Sequence, residues 1–176
     1  MNTDNLNTVS LNSCRILGVD PGTYKMGVGI IQKDGPDITF NHSEVIEVGK
    51  LVLPERLKLI FDRLIEVIRD YDPKEIAIEQ PYVSKNVKAA MAIGNAQAIA
   101  MLAAAKFSIP VSTYPPMTVK QSVTDYGASS KEQVKSMVEI ILDIQNDLVS
   151  YDASDALAVA ICHANQMDVI SFVGNN

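Results

Sequence analysis

Arg15-Ile16-Leu17-Gly18-Val19-Asp20-Pro21-Gly22-Thr23, followed by Met26-Gly27-Val28-Gly29-Ile30-Ile31-Gln32, decides how the chain begins to fold. The first run is apolar and β-branched, which favours a strand. Asp20-Pro21-Gly22-Thr23 is turn chemistry, because proline presets φ and glycine accepts backbone angles closed to other residues. Met26 to Gln32 reads as a second strand, so the two form a hairpin. Asp34-Gly35-Pro36-Asp37 predicts another turn, and Ile38 to Val48 a third, partly alternating strand. The chain therefore opens as an antiparallel meander.

Beyond the meander the period changes. Leu57, Ile60, Phe61, Leu64, Ile65 and Ile68 recur at three- and four-residue spacing, which predicts a helix from Pro54 to Arg69. Asp72-Pro73 stops it, and Lys74 to Glu79 reads as a buried strand ended by Pro81. Asn86 to Ala105 is an alanine-rich helix with Gly94, open to close approach by another backbone. Val111 to Tyr114 is a short strand, Met117 to about Asp125 a helix. Ser129 with Glu132 predicts a capping box opening a helix to about Asp143. The last helix runs from about Asp152 to Gln166. Three antiparallel strands followed by helix–strand alternation predict an α/β fold, a mixed sheet flanked by helices.

The 176 residues suit one domain, and 47% hydrophobic with 20% charged residues is an ordinary globular composition. Residues 1–14 read as a disordered polar extension, residues 15–167 as a single domain and residues 168–176 as a tail. No segment is apolar enough to span a membrane, and Met1 to Ser13 lacks the pattern of a signal peptide. Cys14 and Cys162 lie in or beside apolar segments and predict buried thiols of a reduced, cytoplasmic protein. The net charge of −6 is unevenly spread. Gln80 to Val138 holds six lysines (Lys85, Lys88, Lys106, Lys120, Lys131, Lys135) against two acids, leaving 9 basic and 19 acidic residues elsewhere. Such a zone reads either as ordinary surface or as a phosphate-binding face.

Four acids stand where solvation is poor. Asp20 closes Ile16-Leu17-Gly18-Val19, Glu79 closes Ile76-Ala77-Ile78, and Asp152 and Asp155 open a segment continuing as Ala156-Leu157-Ala158-Val159-Ala160-Ile161. A carboxylate there needs a proton, a cationic side chain or a metal. Asp20 also reads as an Asx-turn residue. Asp152 and Asp155, three apart on one helix face, also suit a helix dipole. Jointly, two strand-end acids and a helical acid pair form a set that can hold two Mg²⁺ ions for attack at a phosphodiester.

These residues carry a resemblance that runs from Ile16 to His163. Leu17-Gly18-Val19-Asp20-Pro21-Gly22-Thr23 with Gly27-Val28-Gly29-Ile30 resembles the first motif of the RuvC family of Holliday junction resolvases. Ile78-Glu79-Gln80 with Lys85-Asn86 and Gly94-Asn95-Ala96-Gln97 resembles the second. Val119-Lys120-Gln121, Gly127, Lys131 and Gln133-Val134 resemble the basic region, and Asp152 to Ala160 the closing motif. The resemblance implies an RNase H-like fold and a homodimer that cuts two symmetric strands of a four-way DNA junction, leaving 5′-phosphate and 3′-hydroxyl ends, in recombination and repair.

It further implies that Asp20, Glu79, Asp152 and Asp155 hold two Mg²⁺ ions, with Mn²⁺ an acceptable substitute. Lys120 and Lys131 take catalytic roles, and Tyr82, Lys85, Asn86, Lys88, Lys120, Lys131 and Lys135 contact DNA. Tyr82 reads equally as a base-stacking residue or as half-buried core. Dimerisation falls on the helix at 86–105, and the RuvA and RuvB branch-migration proteins are partners by analogy. His42 and His163 read as structural. Three rival readings are a sugar-kinase or actin-like phosphate hairpin, a smaller RNase H-like nuclease of ribosomal RNA precursors, and an inactive junction-binding module.

Overall fold

Cys14–Asp20 forms strand β1, and the chain returns beside it as β2 (Lys25–Asp34) and β3 (Asp37–Glu47), the antiparallel meander that the turn residues predict. The computed structural model describes residues 13–81, 87–144 and 150–174. Helix α1 (Leu53–Tyr71) leads to β4 (Glu75–Glu79), and helix α2 (Val87–Lys106) to β5 (Val111–Tyr114). Helices α3 (Pro116–Thr124), α4 (Lys131–Ile141) and α5 (Tyr151–Gly174) complete the described chain. Among the described residues the sheet order is β3-β2-β1-β4-β5, with β1–β4 and β4–β5 parallel.

Strand alternation divides the core into two halves. Ile16 and Ala77 pack with Val119 and Val123 of α3, Val134 and Val138 of α4, and Leu157 and Ile161 of α5. Leu17, Val19, Ile76 and Ile78 pack instead with Ile60 and Leu64 of α1 and Ala96 and Ala100 of α2. Because both sheet faces are covered, the central strands read as continuous apolar runs rather than as a polar alternation.

Helix α5 reaches the sheet at backbone distance. Gly18, Gly27 and Gly29 line the strip beneath it. A Cβ on Gly18 would stand 2.1 Å from the Ala156 carbonyl oxygen, and one on Gly27 2.0 Å from that of Asp152. On Gly29 it would stand 2.7 Å from the Leu157 nitrogen. The helix answers with buried Ala153, Ala156 and Ala160. Small residues on both partners let α5 lie lower than larger side chains would allow.

Element boundaries depart from the sequence expectation in three places. The capping box lies one residue later than Ser129–Glu132. Ser130 Oγ accepts from the Gln133 backbone N–H, and the Gln133 side chain accepts from Ser130 N. Ser129 is unavailable as a cap because its hydroxyl donates to the Tyr126 carbonyl and contacts Thr124 Oγ1. Helix α1 extends to Tyr71, closing where Asp72 takes left-handed backbone angles and donates its N–H to Ile68 O. Helix α5 runs through the supposed tail to Gly174, since no glycine or proline intervenes. Cys14 and Cys162 are buried free thiols whose pKa burial raises, as packing residues should be. Among the described residues no helix is long and apolar enough to cross a membrane.

Gly18→Ala should cost about 3 kcal/mol of unfolding free energy, because the methyl meets backbone rather than a side chain that can rotate away. Urea unfolding at unchanged m-value is the measurement.

Candidate active site

Strand register brings the acids together. Val19 pairs with Ile78 across the parallel β1–β4 ladder, so Asp20 and Glu79, one residue further along, end adjacent strands side by side. Neighbouring strands lie roughly 4.8 Å apart, and a hydrogen bond joins the two carboxyls. Asp20 is also the antiparallel partner of Gly27, the glycine over which the Asp152 carbonyl rests. The first turn of α5 is thereby seated beside Asp20, with Asp152 and Asp155 on one helix face.

Electrostatics confirms the crowding. Burial, then the charge of Asp155, pushes the Asp20 carboxyl up to about 6. Burial, then the charge of Asp20, pushes Glu79 up to about 8. Glu79 therefore holds the shared proton near neutral pH and donates to Asp20. Lys131, the first residue of α4, places Nζ 2.9 Å from Asp155 Oδ2. That hydrogen bond raises the lysine pKa.

The other expected site residues lie on α2, α3 and α4 or outside the described residues. Lys120 on α3 is half-buried and donates from Nζ to the Ser129 carbonyl oxygen at 3.2 Å, bracing the loop that delivers Lys131. Lys135 Nζ lies 3.7 Å from Glu139 and 5.4 Å from the Tyr151 ring centroid. Lys88 is exposed on α2. Tyr82, Lys85 and Asn86 lie outside the described residues. A small cleft of about 160 Å³ opens at the strand ends, lined by Asp20, Pro21, Glu79, Gln80, Pro81, Ile93 and Pro116. His163 is remote from it: Nδ1 meets the Tyr114 hydroxyl at 2.7 Å and Nε2 faces Glu75, at the opposite end of β4 from Glu79. Burial lowers its pKa.

The donor set is all carboxylate oxygen, the chemistry preferred by hard divalent cations. Among the described residues no three acidic, histidine or cysteine side chains are grouped closely enough to hold a metal ion as they stand. Burial and mutual repulsion raise the Asp20 and Glu79 carboxyls, and the Lys131 ammonium lies on Asp155. In donor chemistry, four carboxylates suit a hard cation.

Sequence reasoning singled out the four acids but missed what seats them. The alternation Gly27-Val28-Gly29 was the available signal, since period two puts both glycines on one sheet face. Nothing in the sequence marked the contact of Arg56 with Thr23, whose carbonyl and hydroxyl oxygens accept from the guanidinium.

Carboxylates gathered at the strand ends of a five-stranded mixed sheet, beneath a helix carrying two more, define a nuclease of RNase H-like fold. A family model described as crossover junction endodeoxyribonuclease RuvC matches residues 16–163, and the chain belongs to that family. It is 46% identical over 153 residues to the RuvC of Dehalococcoides mccartyi, covering 86% of this chain and 92% of that protein. It is 44% identical over 165 residues to the RuvC of Teredinibacter turnerae, covering 90% and 93%. Among solved structures, Thermus thermophilus RuvC in complex with a Holliday junction substrate superposes with a TM-score of 0.82. Its identity is 30%, over 89% of this chain and 96% of that one.

The raised carboxyls set a pH dependence for the metal-free protein. A group whose folded pKa lies above its ordinary value stabilises the fold at low pH and loses that contribution as pH rises through the folded value. For Asp20 and Glu79 the window runs from about pH 4 to about pH 8. Glu79→Gln should therefore be more stable than wild type at pH 8 without metal, by up to a few kcal/mol at about 1.4 kcal/mol per pKa unit. Thermal unfolding across pH should show that advantage fading towards pH 4.

Proposed function

We propose that this chain resolves four-way DNA junctions as a homodimer, each protomer hydrolysing one phosphodiester with divalent metal ions, ordinarily Mg²⁺. The supporting observation is the convergence of Asp20, Glu79 and the first turn of α5 at the strand ends, with Lys131 beside them. Asp20, Glu79, Asp152 and Asp155 would hold two ions. When bound, such ions make a water nucleophilic at neutral pH and neutralise charge on the departing oxygen.

The chain's own groups have distinct parts in the reaction. Glu79 must give up the proton it shares with Asp20, and deprotonation of the pair is what readies the site. Asp20 is held by the β1–β2 ladder, so its carboxylate stays fixed as the strand passes. Lys131, released from Asp155, turns its ammonium to the phosphate oxygens. The water oxygen bonds to phosphorus as the bond to the 3′ oxygen breaks, leaving a 5′-phosphate and a 3′-hydroxyl. Lys120 keeps the Lys131 loop in place and, with Lys88 and Lys135, contributes to a basic approach for DNA. Tyr82, Lys85 and Asn86 of the second motif are assigned DNA contact by the family resemblance alone.

Helix α2 supports the dimer reading. Val87, Met91 and Leu102 are exposed on it, and a Cβ on Gly94 would meet nothing within 4 Å, leaving room for a second helix. RuvA and RuvB are the branch-migration partners that membership of the family points to. Buried, reduced Cys14 and Cys162 suit action in the cytoplasm.

Asp20→Asn should reduce junction cleavage to background while leaving junction binding in a gel-shift assay essentially unchanged. Retained cleavage would remove the assignment. Lys131→Ala and Lys120→Ala should each weaken binding across sequences. Each lost phosphate contact should flatten the slope of log affinity against log salt by about 0.9.

A further inference from the structure

We propose that Tyr24, backed by Arg56, is a stacking platform for a nucleobase of the DNA at the rim of the cleavage site. The inference rests on the junction-cleaving reading and names a contact for that substrate. Tyr24 sits in the turn between β1 and β2, yet its residue is 60% exposed. A tyrosine at a hairpin tip is ordinarily free to move. This one is held by its backbone and by a cation on one ring face.

The Tyr24 carbonyl accepts from the Val48 N–H at 3.2 Å. The turn beside it is closed tightly enough that a Cβ on Gly22 would stand 2.1 Å from the Lys25 carbonyl oxygen. The Arg56 guanidinium carbon lies 3.9 Å from the Tyr24 ring centroid. Arg56 is only 8% exposed, and its Nη1 donates to the Thr23 carbonyl at 3.2 Å and to Thr23 Oγ1 at 3.3 Å. Its Nε is buried without a partner. Covering a guanidinium this way costs desolvation that a surface arginine avoids. What the arrangement secures is a ring fixed in one orientation, one face on a cation and the other open.

Such a surface suits a base. Stacking on an aromatic ring is tolerant of sequence because every base has a π-face, and a ring ordered in advance loses little entropy on binding. A cation behind the ring draws π density from it, which favours an electron-rich partner on the free face. Tyr24 also stands close to the chemistry. It follows Asp20 by four positions, and four residues span at most about 14 Å. Four base steps at about 3.4 Å each cover that span. Its ring lies on the α1 side of the sheet, while Asp20 faces α5, so a stacked base leaves the carboxylates free.

Four-way junctions carrying 5-iododeoxyuridine near the crossover supply the direct test. Irradiation with the wild-type protein should give a crosslink that peptide mapping assigns to Tyr24. Tyr24→Ala should weaken junction binding by about tenfold, within the range of base–aromatic stacking, with Tyr24→Phe near wild type and Tyr24→Leu as weak as Ala. The Phe–Leu comparison carries the conclusion if Tyr24→Ala folds poorly, since both keep apolar cover over Arg56. Full affinity in Tyr24→Leu, or no Tyr24 crosslink from a wild-type protein that cleaves junctions, overturns the platform alone. A wild-type protein that binds no four-way junction overturns the functional reading and the platform together.

Discussion

The closeness of one helix to one pair of strands governs the rest of this structure. Three glycines on the α5 side of β1 and β2, met by Asp152, Ala156, Leu157 and Ala160 of the helix, allow backbone to rest on backbone. The apolar area involved is small, so the contact contributes position more than stability. Raising α5 by the width of a methyl group would lift Asp152 and Asp155 away from the strand ends where Asp20 and Glu79 sit. The site is built at the carboxyl ends of adjacent parallel strands, where side chains on one face emerge in register.

Concentrating acids in this way creates a charge problem that the fold meets with its own groups. Burial and mutual repulsion keep a proton on the Asp20–Glu79 pair, and Lys131 neutralises Asp155. The Lys131 contact is at the surface, since its side chain is more than half exposed. The uneven spread of charge reconciles an acidic chain with a polyanionic substrate. The segment from Gln80 to Val138 carries six lysines against two acids, so the acidic balance belongs to the rest of the chain.

Other polar contacts fix the frame. Arg63 grips Glu44 through Nε and Nη2 at 2.8 and 2.7 Å, fastening edge strand β3 to α1 in the bidentate geometry that makes arginine–carboxylate pairs strong. Tyr114, the register partner of Glu79 on β5, and Glu75, at the other end of β4, both meet His163 of α5. His163 is two turns beyond Asp155 on the same helix, yet it serves packing rather than chemistry.

Much of this was legible in the sequence because it is local. Turn residues marked the hairpin, three- and four-residue spacing marked α1, and acids closing apolar runs marked Asp20 and Glu79 as needing a partner. Asp152 and Asp155 stood out in the same way by opening an apolar segment, and motif order extended the reading to the family. The capping box was misplaced by one because Ser129 and Ser130 are equivalent on paper, and only the Tyr126 carbonyl decides between them. What tertiary structure alone decided was distance: that α5 lies on the glycine strip, that Lys131 meets Asp155, and that Arg56 sits beneath Tyr24. Those contacts join residues far apart in the chain, and no local pattern encodes how closely two elements pack.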